Sequence, residues 1–115
     1  LYANRCRFCH LVGSAIANEG QFNGKYCALD SNVSNCVRGL SYEQYYDYQN
    51  YYEGAAAFTN KISGIAYFNQ CAITYNQAPY NGAIFNIGEM TIDSSEVNYN
   101  KATEYFIGAI YNKAT

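Results

Sequence analysis

Charge is scarce in this chain. Lys, Arg, Asp and Glu together make up 14% of its 115 residues, against about 25% in an average soluble domain. The net charge of −2 argues against nucleic acid as a partner and supplies no basic face for an anionic membrane. Long apolar runs are missing too. Half the residues are apolar, yet no run approaches the ~18 that a membrane-spanning helix requires. Histidine, methionine and proline occur once each, as His10, Met90 and Pro79, so any site that needs two imidazoles is excluded.

Tyrosine takes the place of charge, with 14 copies, and asparagine is as frequent. A surface wetted by neutral polar groups is the plainest reading. Two sharper ones stand beside it. Few carboxylates would leave the fold less sensitive to acid, and a tyrosine-rich surface suits contact with another copy. At this length the chain, residues 1–115, is read as a single domain with a core large enough to enclose one prosthetic group.

Among the five cysteines, two stand in Cys6-Arg7-Phe8-Cys9-His10. This C-x-x-C-H pattern is read as a c-type haem attachment site. Two thiols on one helical turn can both bond to the edge of one porphyrin, and the histidine that follows offers its imidazole to the iron. A zinc site would need a fourth ligand from Cys27, Cys36 or Cys71, without a second paired motif. A redox pair would need a preceding strand. A disulfide at this spacing would be strained.

The stretch Leu1-Tyr2-Ala3-Asn4-Arg5-Cys6-Arg7-Phe8-Cys9-His10-Leu11-Val12-Gly13 resembles the opening of a class I cytochrome c, with Tyr2 and Gly13 at the family's aromatic and glycine positions. The resemblance implies an all-α, cytochrome c-like domain with long irregular loops, wrapped around one covalent haem c. It implies location outside the cytoplasm, periplasmic or extracellular, after removal of a signal peptide. It also implies a methionine on a loop ahead of the last helix as sixth iron ligand, and Met90 matches. The family's Gly-Pro-Leu stretch has no counterpart here.

In order, residues 2–12 read as the haem-bearing helix and 21–40 as a loop, in which Cys27 and Cys36 are spaced for a disulfide, with Cys71 left as a buried free thiol. Ser41 caps a tyrosine-rich helix, and residues 55–75 read as another, with Phe58, Ile62, Ile65 and Phe68 as a stripe over the haem. Residues 76–89 read as a loop. Asp93 and Glu96 open the terminal helix, with Tyr99, Ala102, Phe106 and Ile110 along one face, and Tyr2, Tyr105 and Gly108 as candidates for its contact with the first helix.

The expected function is that of a single-electron carrier rather than an enzyme. Cys6 and Cys9 would hold the haem, His10 and Met90 would ligate its iron, and redox proteins would be its partners. The alternatives are a subunit of a self-assembling cytochrome filament, a small haem enzyme or gas-binding protein with an open sixth position, and a zinc or disulfide domain holding no haem.

Overall fold

Burial alternates with a period of two along the longer segments. In Gln21–Lys25 and Ile65–Asn69 the second and fourth residues are buried and their neighbours are more exposed. That is the signature of a strand with one face inward. The computed structural model describes residues 1–33, 55–78, 82–103 and 109–112, and among these there are fourteen strands and no helix. They fall into four successive coils. Coil 1 holds β1 (Tyr2–Asn4), β2 (Arg7–Cys9) and β3 (Ile16–Asn18). Coil 2 holds β4 (Gln21–Lys25), β5 (Ala28–Asp30) and β6 (Phe58–Asn60). Coil 3 holds β7 (Ile65–Asn69), β8 (Ala72–Thr74), β9 (Gln77–Ala78) and β10 (Ile84–Asn86). Coil 4 holds β11 (Glu89–Asp93), β12 (Glu96–Asn98), β13 (Lys101–Ala102) and β14 (Ile110–Asn112).

Every coil gives one strand to each of three parallel sheets, ordered β1-β4-β7-β11, β2-β5-β8-β12 and β3-β6-β10-β14, with β9 and β13 forming a fourth, two-stranded pair. The chain is therefore a parallel β-helix. Its register places equivalent residues directly above one another: Phe8 over Leu29, Ile73 and Val97, and Ile16 over Phe58, Ile84 and Ile110.

Two corners of the coil are turned by single residues in the left-handed region. One row is Arg5, Tyr26, Gln70 and Ser94, with φ between 49 and 54°; the other is His10, Ser31, Tyr75 and Tyr99, with φ between 54 and 57°. Side chains other than glycine pay for this conformation, so something must hold the corners. At the Arg5 row backbone groups reach across the coils, Arg5 N donating to Lys25 O, Tyr26 N to Asn69 O and Gln70 N to Asp93 O at 2.9–3.1 Å. Two ladders of asparagine hold the other two corners, the first at the end of β3, β6, β10 and β14. In the first, Asn18 Nδ2 donates to Asn60 Oδ1 (2.9 Å), Asn60 Nδ2 to Asn86 Oδ1 (2.7 Å) and Asn86 Nδ2 to Asn112 Oδ1 (2.7 Å). In the second, beside the His10 row, Asn32 Nδ2 donates to Asn76 Oδ1 and Asn76 Nδ2 to Asn100 Oδ1, both at 2.9 Å. These amides also receive backbone N–H groups: Leu11 N donates to Asn32 Oδ1 (3.0 Å), and Asn76 N to Asn100 Oδ1 (2.9 Å). Each amide thus satisfies turn groups that the sheets cannot reach.

Between the ladders the interior is apolar. Phe22, Phe58 and Phe68 pack with ring centroids 4.8–5.1 Å apart, Phe58 and Phe68 edge to face. Gly24 makes this packing feasible: a Cβ there would stand 2.8 Å from Phe22 Cε1. At Gly88 a Cβ would strike the carbonyl oxygens of Lys61 and Gly64, so the turn from β10 into β11 passes too close to the previous coil for any side chain.

The all-α expectation is overturned. Residues 2–12, read as the haem-bearing helix, are β1, β2 and a bridge at Val12. Residues 55–75 contain β6, β7 and β8, and the terminal segment after Asp93 contains β12, β13 and β14. The stripe of Phe58, Ile62, Ile65 and Phe68 is split: the two phenylalanines are buried, while Ile62 is 83% exposed and Ile65 45%. Spacings of three and four arose from strands interrupted by corners. Residues 76–89, read as a loop, hold β9 and β10. The helix expected after Ser41, and Tyr105 and Gly108 of the expected helix contact, lie outside the described residues.

Candidate functional site

The C-x-x-C-H pentapeptide proves to be one coil's version of a row pattern. Cys6 precedes β2 where Cys27 precedes β5, Cys71 precedes β8 and Ser95 precedes β12. Cys9 shares a row with Asp30, Thr74 and Asn98. His10 is the first member of the left-handed corner row. Cys6 and Cys9 therefore lie along a strand and its preceding corner, not on one helical turn.

Cys6 and His10 are exposed and Cys9 is half-buried. Met90 lies on β11, three coils away and in a different sheet, and packs against the hydrophobic core. The lone imidazole is outside and the lone thioether is turned toward the interior. The structure places His10 and Met90 on different coils and different sheets, not side by side as an axial pair. Phe58 and Phe68, expected to lie over the haem, are fully buried against each other and their neighbours.

The metal and disulfide expectations are corrected as well. Among the described residues no three His, Cys, Asp or Glu side chains are placed to hold a metal ion. Cys6, Cys9, Cys27 and Cys71 are free thiols; Cys36, the expected partner of Cys27, lies outside the described residues. Cys27 and Cys71 are each 3% exposed. Burial pushes the Cys71 thiol up from its ordinary range. Because the thiolate is the reactive form, a thiol reagent at about pH 8 is expected to label Cys6 and Cys9 quickly and Cys27 and Cys71 only on unfolding. Peptide mapping of the labelled protein reads the order.

What the outer surface carries is a set of aligned rows. Tyr75 and Tyr99, 61% and 68% exposed, stack at 5.1 Å with ring planes 10° apart. Along the next corner, the Arg5 guanidinium and the Lys25 ammonium lie 5.6 and 5.2 Å from the centre of the Tyr26 ring, within cation–π range. Arg7 grips Asp30 in the coil below through two hydrogen bonds, Nε to Oδ1 and Nη2 to Oδ2, both 2.8 Å. That contact holds the Asp30 carboxyl below its usual range, chiefly by hydrogen bonding from Arg7.

The pair has a testable pH signature. A carboxyl depressed in the folded state adds stability above its unfolded pKa and loses it as pH falls through the folded value. Arg7→Gln is therefore expected to lower the urea midpoint at about pH 7, and the difference from the parent should vanish by about pH 2. Both midpoints come from far-UV circular dichroism.

Among the described residues no helix is long and apolar enough to cross a membrane. Compared with known protein families, with curated proteins and with solved structures, the chain matches none. Sequence reasoning missed the rows and ladders, although their signal was there: asparagines recur at the same coil position, 24 residues apart from Asn76 to Asn100 and 26 apart from Asn86 to Asn112.

Proposed function

We propose that this chain is a structural β-solenoid module, a stiff scaffold that presents its outer rows for interaction rather than a carrier of electrons. The observation behind this reading is the pair of asparagine ladders. One links all four coils and the other links three, joined by hydrogen bonds of 2.7–2.9 Å. Such columns tie each coil to the next and so favour a rigid rod over a chain that opens around a ligand.

The same repetition supports a presenting role. Residues at one row position face out at one coil spacing, about 4.8 Å, as the stacked Tyr75 and Tyr99 do. Tyrosine offers large contact area at low entropic cost, which suits it to recognition surfaces. The surface is nearly neutral, so association would depend little on electrostatic steering.

Intact-mass measurement decides between scaffold and carrier. The chain is produced in cells that attach haem to C-x-x-C-H motifs. The scaffold reading expects the polypeptide mass alone, 12.9 kDa, and no visible absorbance. A covalent haem adduct on Cys6 and Cys9 would overturn it.

A further inference from the structure

We infer that Tyr75 and Tyr99 form an oxidative cross-linking site, where a one-electron oxidant joins the two phenol rings into dityrosine and ties coil 3 to coil 4. The inference rests on the coil register and goes beyond the scaffold reading, since it concerns a covalent change within the chain and not what the outer rows present.

The two tyrosines stand at the same place in successive coils. Each turns the corner after its strand, β8 or β12, in the left-handed region, Tyr75 with φ 57° and Tyr99 with φ 54°. The residues before them, Thr74 and Asn98, are paired in the parallel sheet, which sets the two backbones about 4.8 Å apart. The residues after them are joined twice, because Asn76 N and Asn76 Nδ2 both donate to Asn100 Oδ1 at 2.9 Å. The corner is clamped on both sides, so the two side chains stay neighbours as long as the coils hold together.

Their rings lie 5.1 Å apart and 10° from parallel, and the residues are 61% and 68% exposed. Exposed side chains change rotamer quickly, so the stacked rings can pivot until an ortho carbon of each meets the other. Each phenol then gives up one electron and its hydroxyl proton. The two phenoxyl radicals couple through those ortho carbons, and the hydrogen on each carbon shifts to the phenol oxygen, which restores both rings. The two electrons and two protons reduce one hydrogen peroxide to two waters, so the co-reactant is hydrogen peroxide used by a peroxidase.

Other rows lack the second phenol. Phe85 and Tyr111 stack in the same manner, 5.2 Å apart and 3° from parallel, but only one of them is a tyrosine. Tyr26 has Arg5 and Gln70 as its row neighbours, and Tyr67 pairs with Asn23 and Thr91. Among the described residues, the register sets two tyrosines in adjacent coils at Tyr75 and Tyr99 alone.

The test treats the full chain at micromolar concentration with a peroxidase and hydrogen peroxide, then maps cross-linked peptides by mass spectrometry. A partner in the same chain is present at an effective concentration of about a millimolar or more, roughly a thousandfold above that of other chains. Dityrosine should therefore form inside single chains, with its blue fluorescence, a mass lower by two hydrogens, a bond mapped between Tyr75 and Tyr99, and a yield unchanged on dilution. Tyr75→Phe and Tyr99→Phe each keep the ring and should lower that intramolecular yield at least about tenfold, whereas Tyr26→Phe should leave it as in the parent. The joined chain should unfold with an equilibrium constant about a hundredfold smaller than the untreated chain, because the new bond closes a loop as a disulfide does. Far-UV circular dichroism verifies that each variant is folded; if one is not, the peptide map and dilution series of the parent decide alone. Absence of dityrosine, a bond mapped mainly to other tyrosines, coupling only between chains, or an unchanged unfolding constant would each overturn the inference. Any of these leaves the scaffold reading to its own mass measurement.

Discussion

Replacing Asn60 with alanine is expected to lower the unfolding free energy by about 3–5 kcal/mol, from about 1–3 kcal/mol for each buried polar group left without a partner. Asn60 is fully buried. Its Oδ1 accepts from Asn18, and its Nδ2 faces Asn86 Oδ1 and the carbonyls of Gly64 and Glu89 at 2.7–3.2 Å. Truncation removes hydrogen bonds from buried amides on coils 1 and 3 together, leaving Asn18 Nδ2 with the carbonyl of Gly20 and Asn86 Oδ1 with the amide of Gly88. Such a loss approaches the whole stability of an ordinary domain, about 5–15 kcal/mol. Asn4→Ala, at an exposed strand position, is the control and should stay within about 0.5 kcal/mol. Urea denaturation followed by circular dichroism measures both. Equal midpoints for Asn60→Ala and Asn4→Ala would remove the ladder from the account.

Phe68→Ala is expected to cost a similar amount, about 3–5 kcal/mol. The ring is fully buried, edge to face with Phe58 at 4.8 Å and against Phe22 at 5.1 Å. On the coil 2 side its row cannot fill the gap, since the residue there is Gly24, with Ala3 beyond it in coil 1. The cavity would sit between coils 2 and 3, so the loss should appear as a lower denaturation midpoint with an unchanged slope. Were Phe68 part of a haem sheath instead, its removal would register mainly as a shift in reduction potential. A stability change below about 1 kcal/mol would contradict the three-ring core.

The apolar interior was legible from composition, and the burial of Phe58 and Phe68 was read correctly, though for the wrong structure. A helix and a corner-turned coil both bring every third or fourth residue to one side over short stretches, so Tyr99, Ala102 and Ile110 fit a helical face as well as they fit three separate strands. What distinguishes the two is the longer period. Asn69-Gln70-Cys71-Ala72-Ile73-Thr74-Tyr75-Asn76 returns 24 residues later as Asp93-Ser94-Ser95-Glu96-Val97-Asn98-Tyr99-Asn100, and Gly82-Ala83-Ile84-Phe85-Asn86 returns 26 later as Gly108-Ala109-Ile110-Tyr111-Asn112. A repeat of that length marks units that bury their apolar faces only by stacking. The haem motif drew attention away from it, because Cys6, Cys9 and His10 look purposeful when read alone. Set beside Cys27, Cys71 and the left-handed corner row, each of Cys6 and His10 has a structural place. The ladders could have been found from the asparagines alone; the direction of their hydrogen bonds could not, because it depends on how the coils stack.

The coil register is tested most directly by amide–amide nuclear Overhauser contacts in the isotopically labelled protein. Contacts between residues far apart in sequence are expected, linking the strand containing Leu29 to that containing Ile73 and the latter to that containing Val97, as the parallel pairings require. An unbroken run of strong sequential amide contacts through residues 2–12 and 94–110, with the inter-coil contacts missing, would restore a helical domain and contradict the β-helix.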